Sequence, residues 1–125
     1  MKRWLKELIA SFAFSPGEIN VIACSDDYLL DVNKKYLNHD YYTDIVTFDY
    51  SDGKKISGDL FISIHRVTEN AIRFSDDFNH ELLRVVAHGV LHLVGYKDKT
   101  KSDIVKMRNA EEEAISRFKL LIINS

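Results

Sequence analysis

The sequence predicts an α+β fold in which a small mixed β-sheet packs against several helices. Short β-branched and aromatic segments at residues 19–24, 44–50 and 56–63 predict the strands, and segments with helical spacing outnumber them. One of those helices, at residues 78–94, is apolar around most of its circumference, so we expect it to be buried. The length suits one domain, over residues 1–125, with a core of its own.

The predicted elements follow in the order α-β-α-β-β-α-α-α. Apolar residues at helical spacing predict a first helix over residues 2–12, and Pro16 with the glycine after it is expected to form the first turn. Ser25 is a typical N-cap residue for a second helix that runs to about Leu37. Gly53, preceded by aspartate, predicts a hairpin turn between the last two strands. The remaining helices are predicted at residues 67–74, 78–94 and 102–121.

Composition narrows the class of protein. Hydrophobic residues make up 46% and charged residues 29% of the 125 residues, which is typical of a globular chain. Cys24 is the single cysteine, so no internal disulfide can form and a reducing compartment fits. No stretch approaches 18 apolar residues, and Lys6 and Glu7 interrupt the run behind the basic N-terminus, which argues against a membrane span or a secretory signal. We therefore expect a cytoplasmic protein.

The net charge of −2 neither predicts nor excludes a nucleic-acid partner. Nucleic-acid binders usually carry a basic surface, but a local basic groove can lie on a protein that is neutral overall.

The predicted buried helix carries a polar stripe in which His88 and His92 stand four residues apart. Residues at this spacing share one helix face, so both imidazoles can point at one ion. Gly95 is expected to end the helix and turn the chain back, which would return the carboxylate of Asp98 to the same point. Two imidazoles and a carboxylate suit Zn²⁺ with a fourth position left open, as in catalytic zinc sites. We therefore expect one Zn²⁺ per chain at His88, His92 and Asp98.

Each of these features also has a structural interpretation. A histidine pair at this spacing arises by chance in many helices, and buried histidines are often satisfied by hydrogen bonds. Gly95 suits a simple helix C-cap, and Asp98 lies between two lysines, as a solvated charge does. Their coincidence within eleven residues of a buried helix favours a metal. The spacing also echoes the metzincin proteases, but Gly89 stands where zinc peptidases carry their glutamate base, so peptide hydrolysis is disfavoured.

Three sequence blocks resemble the YbeY family, the bacterial endoribonucleases of ribosomal RNA maturation. The first is the segment from His88 to Tyr96, HGVLHLVGY; the second is TDIVTF, which begins at Thr43; the third is GDLFIS, which begins at Gly58. The C-terminal helix also fits, and the resemblance covers nearly the whole chain. Family members mostly have a third histidine where this chain has Asp98, an arginine where it has Leu37, and a short strand before the first helix.

The resemblance implies a metal-dependent endoribonuclease that prefers single-stranded RNA and acts in small-subunit ribosomal RNA maturation and ribosome quality control. It implies RNA and the ribosome or ribosomal proteins as partners. His88 and Asp44 are the predicted catalytic residues, with Asp44 as a base or as an outer partner of the metal site. Either Arg66 or Arg84 is a candidate to replace the family arginine. A run of lysines beside Asp98 is either solvated or a phosphate-contacting rim; its members are Lys97, Lys99 and Lys101.

Other functions remain open from the residues alone. Two histidines and a carboxylate also suit Fe(II), so a non-haem iron enzyme is one alternative. The others are a zinc metallopeptidase-like hydrolase and a non-catalytic, ribosome-associated metalloprotein.

Overall fold

The computed structural model of the chain describes residues 1–123, and it confirms the α+β fold with a small mixed sheet. The last two residues of the predicted domain, Asn124 and Ser125, lie outside the described part of the chain. Within residues 1–123, five helices and three strands follow in the predicted order. The helices are α1 (Lys2–Ser11), α2 (Asp26–Tyr36), α3 (Ile64–Arg73), α4 (Phe78–Leu93) and α5 (Lys101–Ile123). The strands are β1 (Ser15–Cys24), β2 (Ile45–Asp49) and β3 (Lys55–Ser63).

The sheet has the strand order β1-β3-β2, with β3 in the centre. β2 and β3 form the antiparallel hairpin, and Gly53 in their turn adopts a left-handed φ of 59° that a glycine tolerates. β1 pairs with β3 in parallel, which requires the chain to cross over the sheet through α2 and β2. The mixed sheet therefore arises because a parallel and an antiparallel neighbour flank one strand.

The start of β1 corrects one prediction. Pro16 pairs with Ile56 inside the strand, although the sequence suggested that it lies in the first turn. The ladder is irregular between Pro16 and Ile19, and β1 lies at one edge of the sheet; a proline, which has no N–H, is tolerated in a strand at such positions. The turn itself falls earlier, where Ala13 has a positive φ of 64°.

The helix α4 runs through the core, as its nearly continuous apolar surface predicted. Apolar residues of α4 pack against α1, the sheet and α5, and the largest cluster of the core forms around them. Val86, Val90 and Leu91 are fully buried. Because α4 is held on several sides, the polar residues on its remaining face are fixed in place. No helix within residues 1–123 is long and apolar enough to cross a membrane.

Candidate metal centre and cleft

The end of α4 is a turn that brings its last histidine and the following segment together. The N–H of Tyr96 donates to the carbonyl of Leu91 (2.9 Å) and the N–H of Gly95 donates to that of His92 (3.1 Å). This pair of hydrogen bonds is the Schellman motif, in which the residue after the C-cap takes a positive φ. Gly95 occupies that position with a φ of +110°. Gly95 therefore ends the helix as predicted and directs the chain back toward its own last turn.

Beyond this turn, His88, His92 and Asp98 converge. Their ligand atoms lie within 4.8 Å of one another. The Nε2 atoms of the two imidazoles are 3.0 Å apart, and each lies 3.4 Å from Oδ2 of Asp98. Donors of a tetrahedral zinc site, each about 2.0–2.2 Å from the ion, are separated by about 3.3–3.6 Å. The triangle therefore has nearly the dimensions that one zinc ion requires.

Hydrogen bonds at the two Nδ1 atoms determine which nitrogen of each imidazole carries the proton. Nδ1 of His92 lies 3.0 Å from the carbonyl oxygen of Tyr96, which only accepts, so this nitrogen donates. Nδ1 of His88 lies 2.7 Å from Oε2 of Glu111, a carboxylate that also faces the guanidinium groups of Arg84 and Arg108. In the neutral imidazoles both Nε2 atoms therefore carry lone pairs. Two lone pairs and the carboxylate of Asp98 then face one point without a hydrogen between them, and a cation satisfies all three.

A buried network of charges supports His88 from behind. Glu111 and Glu81 are almost completely inaccessible, and Arg84 lies between them. Arg84 forms a bidentate pair with Glu81 at 2.7 Å and a longer contact of 3.4 Å with Glu111. The pKa of Arg84 is raised, chiefly by its hydrogen bonds to Glu81, so the guanidinium stays charged. Arg84 thereby compensates the two buried carboxylates, one of which orients the metal-facing histidine.

Asp44 immediately precedes β2 and belongs to the same network. Its Oδ2 is 3.8 Å from Nη2 of Arg84 and accepts a hydrogen bond from Nδ2 of Asn70 at 3.4 Å. Burial raises the pKa of Asp44 above its usual range, and the charges of Arg84 and His88 oppose this effect only in part. A carboxylate with a raised pKa is a better proton acceptor near neutral pH than an exposed one.

These residues line one cleft with a volume of about 610 Å³. The cleft is formed by the end of α2, the loop after it, β2, the end of α4 and the turn that follows. It contains Asp44, His88, His92, Asp98 and Lys99. The five residues were all predicted to act in one site, and the fold brings them to one surface.

The other two lysines of the predicted rim lie elsewhere. Lys97 lines a neighbouring recess beside Gly95, and Lys101 is an exposed residue at the start of α5 that lines neither space. Of residues 95–101, only Asp98 and Lys99 line the cleft.

Neither arginine considered as a substitute for the family arginine lines the cleft. Arg66 forms a bidentate pair with Asp26, with contacts of 3.0 and 3.1 Å, and Arg84 is held by Glu81. Leu37 itself is exposed at the C-cap of α2 and lines the cleft with an apolar side chain. Within the described residues, Lys99 is thus the only lysine or arginine that lines this cleft.

Gly89 has a steric reason to be glycine. A Cβ atom built there would lie 2.7 Å from Cδ1 of Ile45 and 3.0 Å from Cδ2 of Leu60. The residue faces the sheet, so a glutamate side chain at this position would enter the core. The base of zinc peptidases therefore has no place in this helix.

Two partners of the site, Glu111 and the carbonyl of Tyr96, were not identified from the sequence, and only the first carries a signal there. Glu111 falls on the buried stripe of α5 that includes Met107, Ala114 and Ile115, and an acid on such a stripe indicates a buried partner. The carbonyl of Tyr96 has no signal of its own, because its role depends on the path of the turn. His80, which precedes the pair on the same stripe, hydrogen-bonds to Asp76 and is not part of the cluster.

Comparisons with known proteins identify the family of the chain. The family model described as "Endoribonuclease YbeY" matches residues 1–119. The protein named Endoribonuclease YbeY from Flavobacterium johnsoniae is 51% identical over 92% of this chain and 83% of its own length. Those of Flavobacterium psychrophilum (52% identity; 92% and 82%) and Phocaeicola vulgatus (50%; 94% and 85%) carry the same name.

A solved structure also matches the fold. The solution structure of a Thermotoga maritima protein superimposes with a TM-score of 0.64 at 30% sequence identity, over 94% of this chain and 81% of that one. The family match over nearly the whole chain, together with relatives of 51% and 52% sequence identity, establishes that this chain belongs to the endoribonuclease YbeY family.

Proposed function

We propose that this chain is a zinc-dependent endoribonuclease that cuts single-stranded RNA within the cleft. Family membership supports an endoribonuclease role in ribosomal RNA processing. The observation that carries the metal dependence is the arrangement of His88, His92 and Asp98, whose three lone-pair donors face one point. The proposed substrate is small-subunit ribosomal RNA, with the ribosome or its proteins as partners, in the cytoplasm.

His88, His92 and Asp98 would hold the ion, and Glu111 and the carbonyl of Tyr96 fix the two imidazole rings. A bound Zn²⁺ would supply Lewis-acid chemistry, which polarises a phosphoryl oxygen and lowers the pKa of bound water to about 7. The proposed catalytic role of His88 would be to hold this ion.

Asp44 is the proposed proton acceptor. Whether water or a neighbouring 2′-hydroxyl attacks the phosphorus, the attacking oxygen loses a proton, and the carboxylate of Asp44 lies in the same cleft to receive it. Lys99 lines that cleft as well, so its ammonium can contact the phosphate backbone.

Cleavage of single-stranded RNA, set against cleavage of peptides, tests this function. The wild-type protein should cut the RNA and leave the peptides intact, and His88→Ala should lose RNA cleavage because it removes a ligand. His80→Ala is the matched control, since His80 lies on the same helix but outside the cluster. Circular dichroism verifies that both variants fold. A protein that cuts peptides, or a His88→Ala variant that cuts RNA at the wild-type rate, would refute the proposal.

A further inference from the structure

The loop between α2 and β2 lines the cleft with two exposed aromatic rings, those of His39 and Tyr41. The ring centroids are 5.0 Å apart and the planes are inclined by 18°, so the rings are stacked. Tyr41 is 54% exposed. A stacked pair at the surface of a cleft presents an aromatic face to whatever enters the cleft.

The loop is fixed at both ends by one buried residue of α2, Asn33, which is 1% exposed. Its backbone carbonyl accepts a hydrogen bond from the N–H of His39 at 3.0 Å. Its side-chain amide donates to Oγ1 of Thr43 at 2.8 Å. Immediately before His39, Asn38 takes a positive φ of 56° that reverses the chain. The two rings are therefore held in position before a ligand arrives, which lowers the entropy cost of binding.

The adjacent tyrosine shows what a structural role looks like in this loop. The hydroxyl of Tyr42 lies 3.3 Å from Oδ1 of Asp27, and the guanidinium of Arg66 lies 4.6 Å from the centre of its ring. Tyr42 thereby fastens the loop to α2 and α3. Tyr41 makes no comparable contact with either helix, so its ring is available to a ligand.

We propose that His39 and Tyr41 form a stacking platform that receives one unpaired nucleobase of the RNA strand beside the metal centre. This inference rests on the proposed function and specifies how the same cleft holds its substrate. Aromatic rings bind bases through their π-faces with little dependence on sequence, and a base in a duplex is not accessible to them. The platform would thus favour single strands, and Leu37 beside it adds apolar contact.

Binding of a fluorescein-labelled ten-nucleotide strand with 2′-O-methyl sugars, measured by anisotropy on the zinc-loaded protein, tests the platform. Tyr41→Ala and His39→Ala should each weaken binding about tenfold, within the range of one base–aromatic stack. Tyr41→Phe, which keeps the ring, should bind as the wild type does. Tyr28→Ala is the matched control, since Tyr28 is 51% exposed and lies outside the cleft.

A set of strands with a single abasic nucleotide locates the stacked base. The wild-type protein should lose about tenfold in affinity when one particular base is removed, whereas Tyr41→Ala should lose nothing further with that strand. This non-additivity is the signature of a direct contact. A general loss of stability in the variant would instead leave it sensitive to the missing base.

The outcomes separate this inference from the function on which it rests. If the wild type binds and cuts RNA but Tyr41→Ala binds equally well, the platform is wrong and the endoribonuclease proposal stands. The platform would also be overturned if removing that base lowered the affinity of the wild type and of Tyr41→Ala by the same factor. If the wild-type protein neither binds nor cuts single-stranded RNA, the proposed function itself is refuted.

Discussion

Asp98 is the residue that distinguishes this metal cluster from one built of three imidazoles. It stands three residues beyond the glycine that ends α4, and its Oδ2 completes a triangle with the two Nε2 atoms. Oxygen and nitrogen ligands bind Zn²⁺ at similar distances, so a carboxylate fits the same position. The side chain is 43% exposed, which leaves this ligand more open to water than either histidine.

Replacing Asp98 tests its part in metal binding. Asp98→Ala should lower zinc affinity by more than the about 10–100-fold that follows loss of an outer hydrogen-bond partner, because a ligand itself is removed. Asp98→His should retain much of the affinity, since the turn at Gly95 is unchanged. Asp98→Asn should bind poorly, because a neutral amide oxygen is a weak zinc ligand. Competition with a chromophoric chelator measures all three, and unchanged affinity in Asp98→Ala would remove the residue from the site.

Asp44 links proton transfer to stability. Folding raises its pKa above an ordinary value of 3.8, mainly through burial, so the folded state favours the protonated carboxyl. The stability that this preference contributes is present at low pH and is lost as pH rises through the folded pKa. Asp44→Asn resembles the protonated form. We expect it to melt at a higher temperature than the wild type at pH 7, and by a smaller margin at pH 4, where more of the wild-type carboxyl is protonated.

The same variant should cut RNA about 10²–10⁴-fold more slowly, because it cannot accept a proton. Asp59→Asn is the control, since Asp59 is half-buried against Asn20 and lies outside the cleft. Melting curves at the two pH values and initial rates give both readouts. An Asp44→Asn variant that is less stable at pH 7 and fully active would contradict this account.

Among the elements, α4 and the turn after it do most to assemble the site. The apolar residues of α4 anchor it in the core, its polar face carries both histidines, and the Schellman turn supplies a carbonyl for His92 and returns Asp98. This part was predictable, because the spacing of the histidines, the glycine and the aspartate follows helix geometry. The parallel pairing of β1 with β3 was not, since no local pattern specifies which distant strand becomes a neighbour.

Gly95→Ala tests the turn as a unit. No atom lies within 4 Å of a Cβ built at Gly95, so the substitution acts through its φ of +110° alone. We expect a loss of about 1–3 kcal/mol in the free energy of unfolding and a lower zinc affinity, because the turn carries two groups of the site. Gly53→Ala in the hairpin, at φ +59° with equally open space, should lose stability without losing zinc. If both variants bound zinc equally well, the turn at Gly95 would have no part in metal binding.

At the scale of the whole molecule, one cleft collects residues that are far apart in sequence. The loop after α2, the start of β2 and the end of α4 meet there. The position of Asp44 beside His88 depends on this packing, as does the hydrogen bond from His88 to Glu111 over 23 residues of chain. Such contacts are set by tertiary structure. For this reason the sequence indicated the residues of the site, such as His88 and Asp44, but not which side chains they contact.

The lysines test how the cleft meets RNA. Neutralising Lys97, Lys99 and Lys101 together should flatten the dependence of log affinity on log salt by at least about 0.7 for a single strand, the effect of one phosphate contact. Lys99 should account for most of it, because it alone lines the cleft. Replacing Lys2, Lys6 and Lys55, which line a separate recess, changes the net charge equally and should leave the slope unchanged. Equal slopes for the two triple variants would return the first set to the solvated surface.

The central claim is that cleavage depends on one metal ion held by His88, His92 and Asp98, and a zinc titration of the metal-stripped protein tests it most directly. Single-stranded RNA cleavage should be absent without metal, rise linearly with added Zn²⁺ and level off at one equivalent per chain. The His88→Ala variant should stay inactive throughout. Full activity of the stripped protein, or a rise in His88→Ala that matches the wild type, would contradict the account.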